Sequence, residues 1–291
     1  MPDSEHPRRE ARTHVRSEDF RNLDSSGMAI DAIASMDELH LDPFITHLKR
    51  RSFELVGASP GAKILDVGCG AGDDAIAMAR IVRPGGAAAG VDLSEAMVVE
   101  ARRRSQAAGL EIDFQVSSAA QLPYPNDWFD GVRCERTLQH VEDPEAVLME
   151  LVRVLRPGGT VVAIDSDRGV FALDFAGWDA DVEFRLGRWG ASGGGVRNGL
   201  FSRRVRRRLI EIGLQNVVAH PWVNTSTAEL QRRPHLVEER CARAVAAGAI
   251  TETEAKVRVR AVRSAFEDGT LQITTLFWMT VGTKPIGLTR G

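Results

Sequence analysis

A chain of 291 residues with 43% apolar side chains can bury one sizeable core, or a core with an appended cap. Its formal net charge of −3 gives no global attraction to nucleic acid or to an anionic membrane, so neither is expected as a partner. Cys69, Cys134 and Cys241 lie far apart and form neither a disulfide framework nor a metal-ligand spacing, so no metal site is expected.

Residues 1 to about 16 are polar and charged without apolar period, which reads as a disordered arm. No apolar run reaches membrane-spanning length, and Met1 to Phe20 lacks a signal peptide's hydrophobic segment, so a cytoplasmic location is expected. Residues 17–60 turn helical in pattern. Met28, Ile30, Ile33 and Met36 share part of one face, and Pro43 suits the first turn of a helix through Phe44, Leu48 and Leu55.

The chain then alternates strand and helix. Strands are expected at Lys63–Val67, Ala87–Asp92, Ile112–Ser117, Gly131–Glu135 and Thr160–Asp165. Helices are expected near Ala75–Val82, Ser94–Gly109 and Pro144–Leu155. This alternation predicts an α/β fold with a mostly parallel sheet and helices on both faces, over residues 61–291. Two segments, about 169–200 and 226–268, exceed the minimal fold and read as a helical cap. In the first, Phe171, Phe175, Trp178, Phe184 and Trp189 precede a glycine run, as in a moving lid or a pocket wall, or as core aromatics before a loose loop. In the second, helices are expected at Thr227–Gly248 and Thr251–Asp268, the latter opened by a capping box of Thr251 and Glu254. Between the two, Arg203, Arg204, Arg206, Arg207 and Arg208 form the outer face of an amphipathic helix, either solvated or an anion site with Arg185, Arg188 or Arg197. Val217–Val223 and Ile273–Val281 are expected to close the sheet as an antiparallel edge.

The motif of most chemical content is Asp66-Val67-Gly68-Cys69-Gly70-Ala71-Gly72-Asp73-Asp74, a strand end running through a glycine turn into a helix. These glycines permit positive φ and close approach of a ligand to the backbone. A second short strand ends in an acid at Asp92, placed to accept two hydrogen bonds from a ribose diol. Glycine loop plus acidic strand end indicates an adenosine-containing ligand. The dinucleotide spacing G-x-G-x-x-G is not met, and Asp73 and Asp74 would repel a pyrophosphate at the helix start. Acids at that place suit a ligand carrying positive charge.

On these residues the chain resembles the class I S-adenosylmethionine-dependent methyltransferases, of the small-molecule type similar to ubiquinone/menaquinone methyltransferases. Leu122-Pro123-Tyr124-Pro125-Asn126-Asp127-Trp128-Phe129-Asp130 and Leu155-Arg156-Pro157-Gly158-Gly159 match the same family. The resemblance implies a doubly wound, Rossmann-like seven-stranded sheet whose last strand is antiparallel, with S-adenosylmethionine as cofactor and N-terminal helices over it. By the same resemblance Asp66, Gly68, Cys69, Gly70 and Gly72 frame the amino-acid end of that cofactor. Asp92 holds its ribose, Leu93 and Met97 border its adenine, and Ser118 and Ala119 meet the adenine edge. One position departs from the family: Ser118 stands where an aspartate usually accepts the adenine amino group, and a neutral hydroxyl accepts it more weakly.

His140 matches the family's histidine after the fourth strand. It serves as general base or substrate partner, or else orders the loop before the Pro144 helix. Glu135 reaches cofactor or substrate, or is a surface acid, and Asp165 at the fifth strand's end is a further candidate to contact substrate. The reaction expected is methyl transfer to an O, N or C atom of a small, specialised metabolite, aromatic or anionic. The alternatives are a nicotinamide-dependent oxidoreductase and a non-catalytic protein that binds S-adenosylmethionine. The sequence does not indicate an oligomeric state.

Overall fold

The structure is a computed structural model that describes residues 23–192, 196–225, 227 and 235–287; the arm expected at 1 to about 16 lies outside the described residues. Seven strands form one sheet in the order β3-β2-β1-β4-β5-β7-β6. They are β1 (Lys63–Val67), β2 (Ala87–Asp92), β3 (Asp113–Val116), β4 (Phe129–Glu135), β5 (Leu155–Asp174), β6 (Gln215–Asn224) and β7 (Gln272–Thr283). β1 to β5 run parallel to their neighbours, and β7 pairs antiparallel with both β5 and β6. This is the doubly wound sheet with an antiparallel last strand that the resemblance implied.

The order reverses between β1 and β4, which opens a crevice beyond their carboxyl ends, the usual ligand position in such sheets. Helices α4 (Asp73–Val82), α5 (Glu95–Ala107) and α6 (Pro144–Val154) connect the parallel strands, and α8 (Ser202–Ile212) leads into β6. Their starts are chemically marked. Ser94 accepts a hydrogen bond from the Met97 N–H at the head of α5, and Asp143 caps α6 with Pro144 in its first turn.

The N-terminal elements α1 (Leu23–Ser26), α2 (Ala29–His40) and α3 (Pro43–Leu55) lie across this crevice. Asp24 anchors them to α5: its carboxylate accepts from Ser94 Oγ at 2.6 Å and from the backbone N–H groups of Glu95 and Ala96. An acid at a helix N-terminus is favoured by the exposed N–H groups and the helix dipole, and the Ser94 bond holds its pKa below the usual range. Met28, Ile33 and Met36 pack on Leu23, Ala32, Ala71 and Met97, but Ile30 is 80% exposed and does not share their face. Two helical turns separate those positions too unevenly for all four to point one way.

β5 corrects the expected strand Thr160–Asp165. It continues to Asp174, with a bulge between Asp167 and Phe171 and then renewed pairing from Phe171↔Thr275 to Asp174↔Gln272. The stretch from Gly169, expected as the first cap segment, is therefore strand and then helix α7 (Ala180–Ala191). With α9 (Leu236–Ala246) and α10 (Glu252–Glu267), this extension builds a second apolar core around Leu173, Phe175, Leu186, Cys241, Val262 and Ile273. Phe175 belongs to that core, whereas Trp178 and Phe184 are exposed. The helix expected from Thr227 begins at Leu236 among the described residues, and the capping box of Thr251 and Glu254 opens α10.

Candidate functional site

Above the carboxyl ends of the parallel strands lies a cavity of about 990 Å³, roofed by α2 and α3 on one side and α9 on the other. Asp66, Gly68, Cys69, Gly70, Asp92, Leu93, Met97, Ser118, Ala119, Glu135 and His140 all reach its wall, though they come from seven different segments. Gly72 and Asp165 do not. Gly72, at φ +86°, is pressed between α5 and β3: a Cβ there would stand 2.8 Å from both the Ala101 methyl and the Phe114 ring. Its place is in the packing beneath the loop. Asp165 is buried behind the wall, where burial and then the neighbouring Glu135 raise its pKa well above the carboxylate range.

The glycine turn is shaped by close neighbours. Gly68 has φ +75°, and a Cβ on it would fall 2.0 Å from Thr137 Oγ1; Gly70 has φ +52°, with Met36 Cε 2.5 Å from its would-be Cβ. Gly70 also donates its N–H to Asp92 Oδ2 at 2.9 Å, while Asp92 Oδ1 accepts from the Ser94 N–H at 3.0 Å. The second acid is thus clamped to the first loop, with lone pairs left for a ligand diol. Burial raises the Asp92 pKa, and the Ser94 and Gly70 bonds partly offset it. Cys69 offers its backbone here, since burial pushes its thiol well up. Ser118 Oγ accepts from the Ala120 N–H at 3.2 Å and keeps a further lone pair.

Beneath the loop lies a buried charge network that the motif did not announce. Arg133, 1% exposed, donates to Asp66 Oδ1 at 3.0 Å and to Ser52 Oγ at 2.8 Å, pairs with Asp74 at 3.0 Å and also binds Glu135. Lys49 from α3 reaches Asp74 at 2.5 Å and stands 3.8 Å from Glu135. Three carboxylates share two buried cations, and the surplus acid is Asp66: burial, only partly offset by Arg133, raises its pKa to about 7. Lys49 and Arg133 outweigh burial at Asp74 and Glu135 and keep both ionised. A sequence signal for this network exists, namely charged Arg133 and Glu135 alternating within an otherwise buried strand.

The chemistry of these residues suits S-adenosylmethionine. The Glu135 Oε1 atom is buried on the cavity wall without a hydrogen-bond partner, although Arg136 stands at 3.2 Å. An ammonium would satisfy it. Acids also hold the first turn of α4, where a dinucleotide would need to place its pyrophosphate. The set fits a cationic adenosine ligand. Asp37, His40 and Asp73 converge as a cation would require, but Arg104 already bridges the two acids, at 2.7 Å and 2.9 Å.

At the far end the wall changes sign. The β5 bulge carries Arg168 and Val170 onto it, and Phe171, Arg240 and Arg243 join them. Asp167, in the bulge, is held by Arg203 at 2.6 and 2.8 Å and by Trp278 Nε1 at 3.1 Å. The arginine run of α8 is otherwise outward, with Arg207 and Arg208 paired to Glu211 and Arg208 also to Glu145. Arg185 pairs with Asp181 and Glu254, away from the cavity, whereas Arg197 lines it beside Glu142.

A family model described as a methyltransferase domain matches residues 58–184. Over 122 residues, 41% of this chain and 52% of the relative, the sequence is 38% identical to a 2-phytyl-1,4-naphtoquinone methyltransferase of Synechococcus elongatus. Over 183 residues, 63% of this chain and 52% of the relative, it is 33% identical to an uncharacterized 37.1 kDa protein of a Streptomyces fradiae transposon. The chain spans about half the length of the curated relatives it matches. In fold it is similar to a phosphoethanolamine N-methyltransferase of Haemonchus contortus solved with S-adenosyl-L-methionine. That match has a TM-score of 0.56 and 17% identity, covering 94% of this chain and 61% of the other.

Proposed function

We propose that this chain, a class I S-adenosylmethionine-dependent methyltransferase by its 58–184 domain, moves a methyl group to an O, N or C atom of a small, specialised metabolite. One observation supports this most: the glycine turn, Asp92 and His140 open on a single cavity whose far wall is formed by the cap residues Phe171, Arg240 and Arg243. When bound, S-adenosylmethionine supplies a methyl carbon activated by a sulfonium leaving group.

The residues of this chain do the rest. Gly68 and Gly70 would admit the amino-acid end of the cofactor against the backbone, with Glu135 Oε1 facing its ammonium. Asp92 would take the ribose diol, with Leu93 and Met97 beside the adenine and Ser118 and Ala119 at its edge. The N-terminal helices and the cap close the chamber from water and fix the acceptor in line, and orientation of this kind contributes on the order of 7–11 kcal/mol to lowering a barrier. His140, on the wall after β4, would accept a proton from the acceptor atom where one must leave. The acceptor itself is a small molecule.

Titration calorimetry with S-adenosylhomocysteine and with NAD tests this. The wild type is expected to bind the first and not the second. Asp92→Ala, which loses two charge-assisted bonds of about 1.5 kcal/mol or more each, is expected to weaken binding at least 100-fold. NAD binding, or binding of neither ligand, overturns the reading. His140→Ala is expected to leave affinity unchanged and lower turnover.

A further inference from the structure

Three arginines crowd the cap end of the cavity, and the acids around them are already committed. Arg240 stacks over Phe171 at 4.8 Å and lies 5.6 Å from the Trp189 ring, with Arg243 at 6.0 Å from the same tryptophan. Asp167 is taken by Arg203, Glu183 by Arg258 and Glu238 by Arg263; Glu239 shares the wall. The Arg243 Nε is buried without a hydrogen-bond partner, and among the described residues no carboxylate pairs with Arg240. Burial, then Arg258, Arg168 and Arg243, press the Arg240 pKa down to about 10. Glycine makes room for this crowd: a Cβ on Gly190 would lie 2.8 Å from Arg240 Nη2, and one on Gly199 would lie 2.9 Å from Arg168 Cβ.

Crowding half-buried cations on one wall costs free energy unless an anion joins them. A guanidinium held flat on an aromatic ring presents its N–H fork edgewise, the geometry that receives a carboxylate or phosphate in two parallel hydrogen bonds. We propose that Arg240 and Arg243 form an oxyanion subsite, which binds a carboxylate or phosphate carried on an apolar body lying along Phe171 and Val170. This rests on the methyltransferase reading, and it makes the methyl acceptor an organic anion anchored remotely from the atom that is methylated.

The subsite is read by titrating benzoate, phenyl phosphate and neutral benzamide, with calorimetry, in the presence and absence of S-adenosylhomocysteine. At least one of the two anions is expected to bind wild type ten-fold or more tightly than benzamide. Preference for benzoate assigns a carboxylate, and preference for phenyl phosphate a phosphate. Arg240→Met and Arg243→Met are each expected to lose ten-fold or more of that affinity, Arg240→Lys less, with S-adenosylhomocysteine bound as in wild type. Equal binding of benzamide, or anion affinity retained in both methionine variants, overturns the subsite. If S-adenosylhomocysteine fails to bind wild type while the anions behave as expected, the methyltransferase reading falls and the subsite stands.

Discussion

The two ends of the cavity solve opposite problems with buried charge. At the cofactor end Asp66, Asp74 and Glu135 are cross-linked by Arg133 and Lys49, so that charge is balanced almost wholly within the protein. At the cap end Arg240 and Arg243 rest on aromatic rings, and no carboxylate among the described residues pairs with them. The first arrangement stabilises a loop in a fixed shape. The second leaves free energy to be recovered by a ligand. A buried ion network contributes to the fold when complete, and a half-buried cation on a cavity wall without its counter-charge is better explained by binding.

The strongest way to break this contrast is to delete one cation from each end. Arg133→Met leaves Asp66, Asp74 and Glu135 with Lys49 as their one buried cation and is expected to cost about 3–5 kcal/mol of stability in urea denaturation. Arg240→Met removes a charge with no acid to strand and is expected to leave the midpoint unchanged or raised. Equal losses at both ends would erase the distinction.

A smaller effect sharpens the account of the cofactor end. Burial keeps Asp66 protonated up to about 7 in the folded protein, whereas the unfolded chain releases that proton near 3.8. The folded state therefore binds the extra proton between those values, and its stability falls by about 1.4 kcal/mol per pH unit as pH rises through that window. Asp74 and Glu135, held below their ordinary values, act only at lower pH. Denaturation of wild type between pH 4 and 7 is expected to show this loss, and Asp66→Asn to flatten it. The smallest effect concerns the cap alone. Thr251→Ala removes the α10 capping bond and is expected to cost about 1 kcal/mol of stability without changing affinity for S-adenosylhomocysteine.

The same contrast explains how much the sequence disclosed. The cofactor end is local: strand, turn, helix and second strand lie within one short stretch, and their glycines and terminal acids are legible in order. Eleven of the thirteen residues singled out for the site reach the cavity wall. Gly72 misses because motif spacing does not tell a glycine that admits a ligand from one that admits Phe114. Asp165 misses because a residue at a strand end can as well face the far side of the sheet. The cap end is assembled at long range. Arg168 owes its direction to a bulge, and Arg240 reaches Phe171 from a helix some seventy positions later, so the dense run on α8 drew attention to arginines that face outward. A clue was present in α9, where Arg240 and Arg243 interrupt the apolar face of Leu236, Val237, Cys241 and Ala244.

β7 gives the molecule a temporal order. It pairs with β5 along its length, from Thr160↔Thr283 to Asp174↔Gln272, and lays Thr275, Leu276 and Phe277 into the cavity wall. During synthesis the first five strands can pair as soon as residue 165 has emerged, because each needs only neighbours already made. The extension of β5 must then wait for about a hundred more residues before its partner leaves the ribosome. Until then the nascent chain carries a formed crevice at the carboxyl ends of the parallel strands beside an unzipped strand edge, the species most open to misassembly. Synonymous codons that slow translation just before residue 272 would lengthen that exposure, and those that speed it would shorten it.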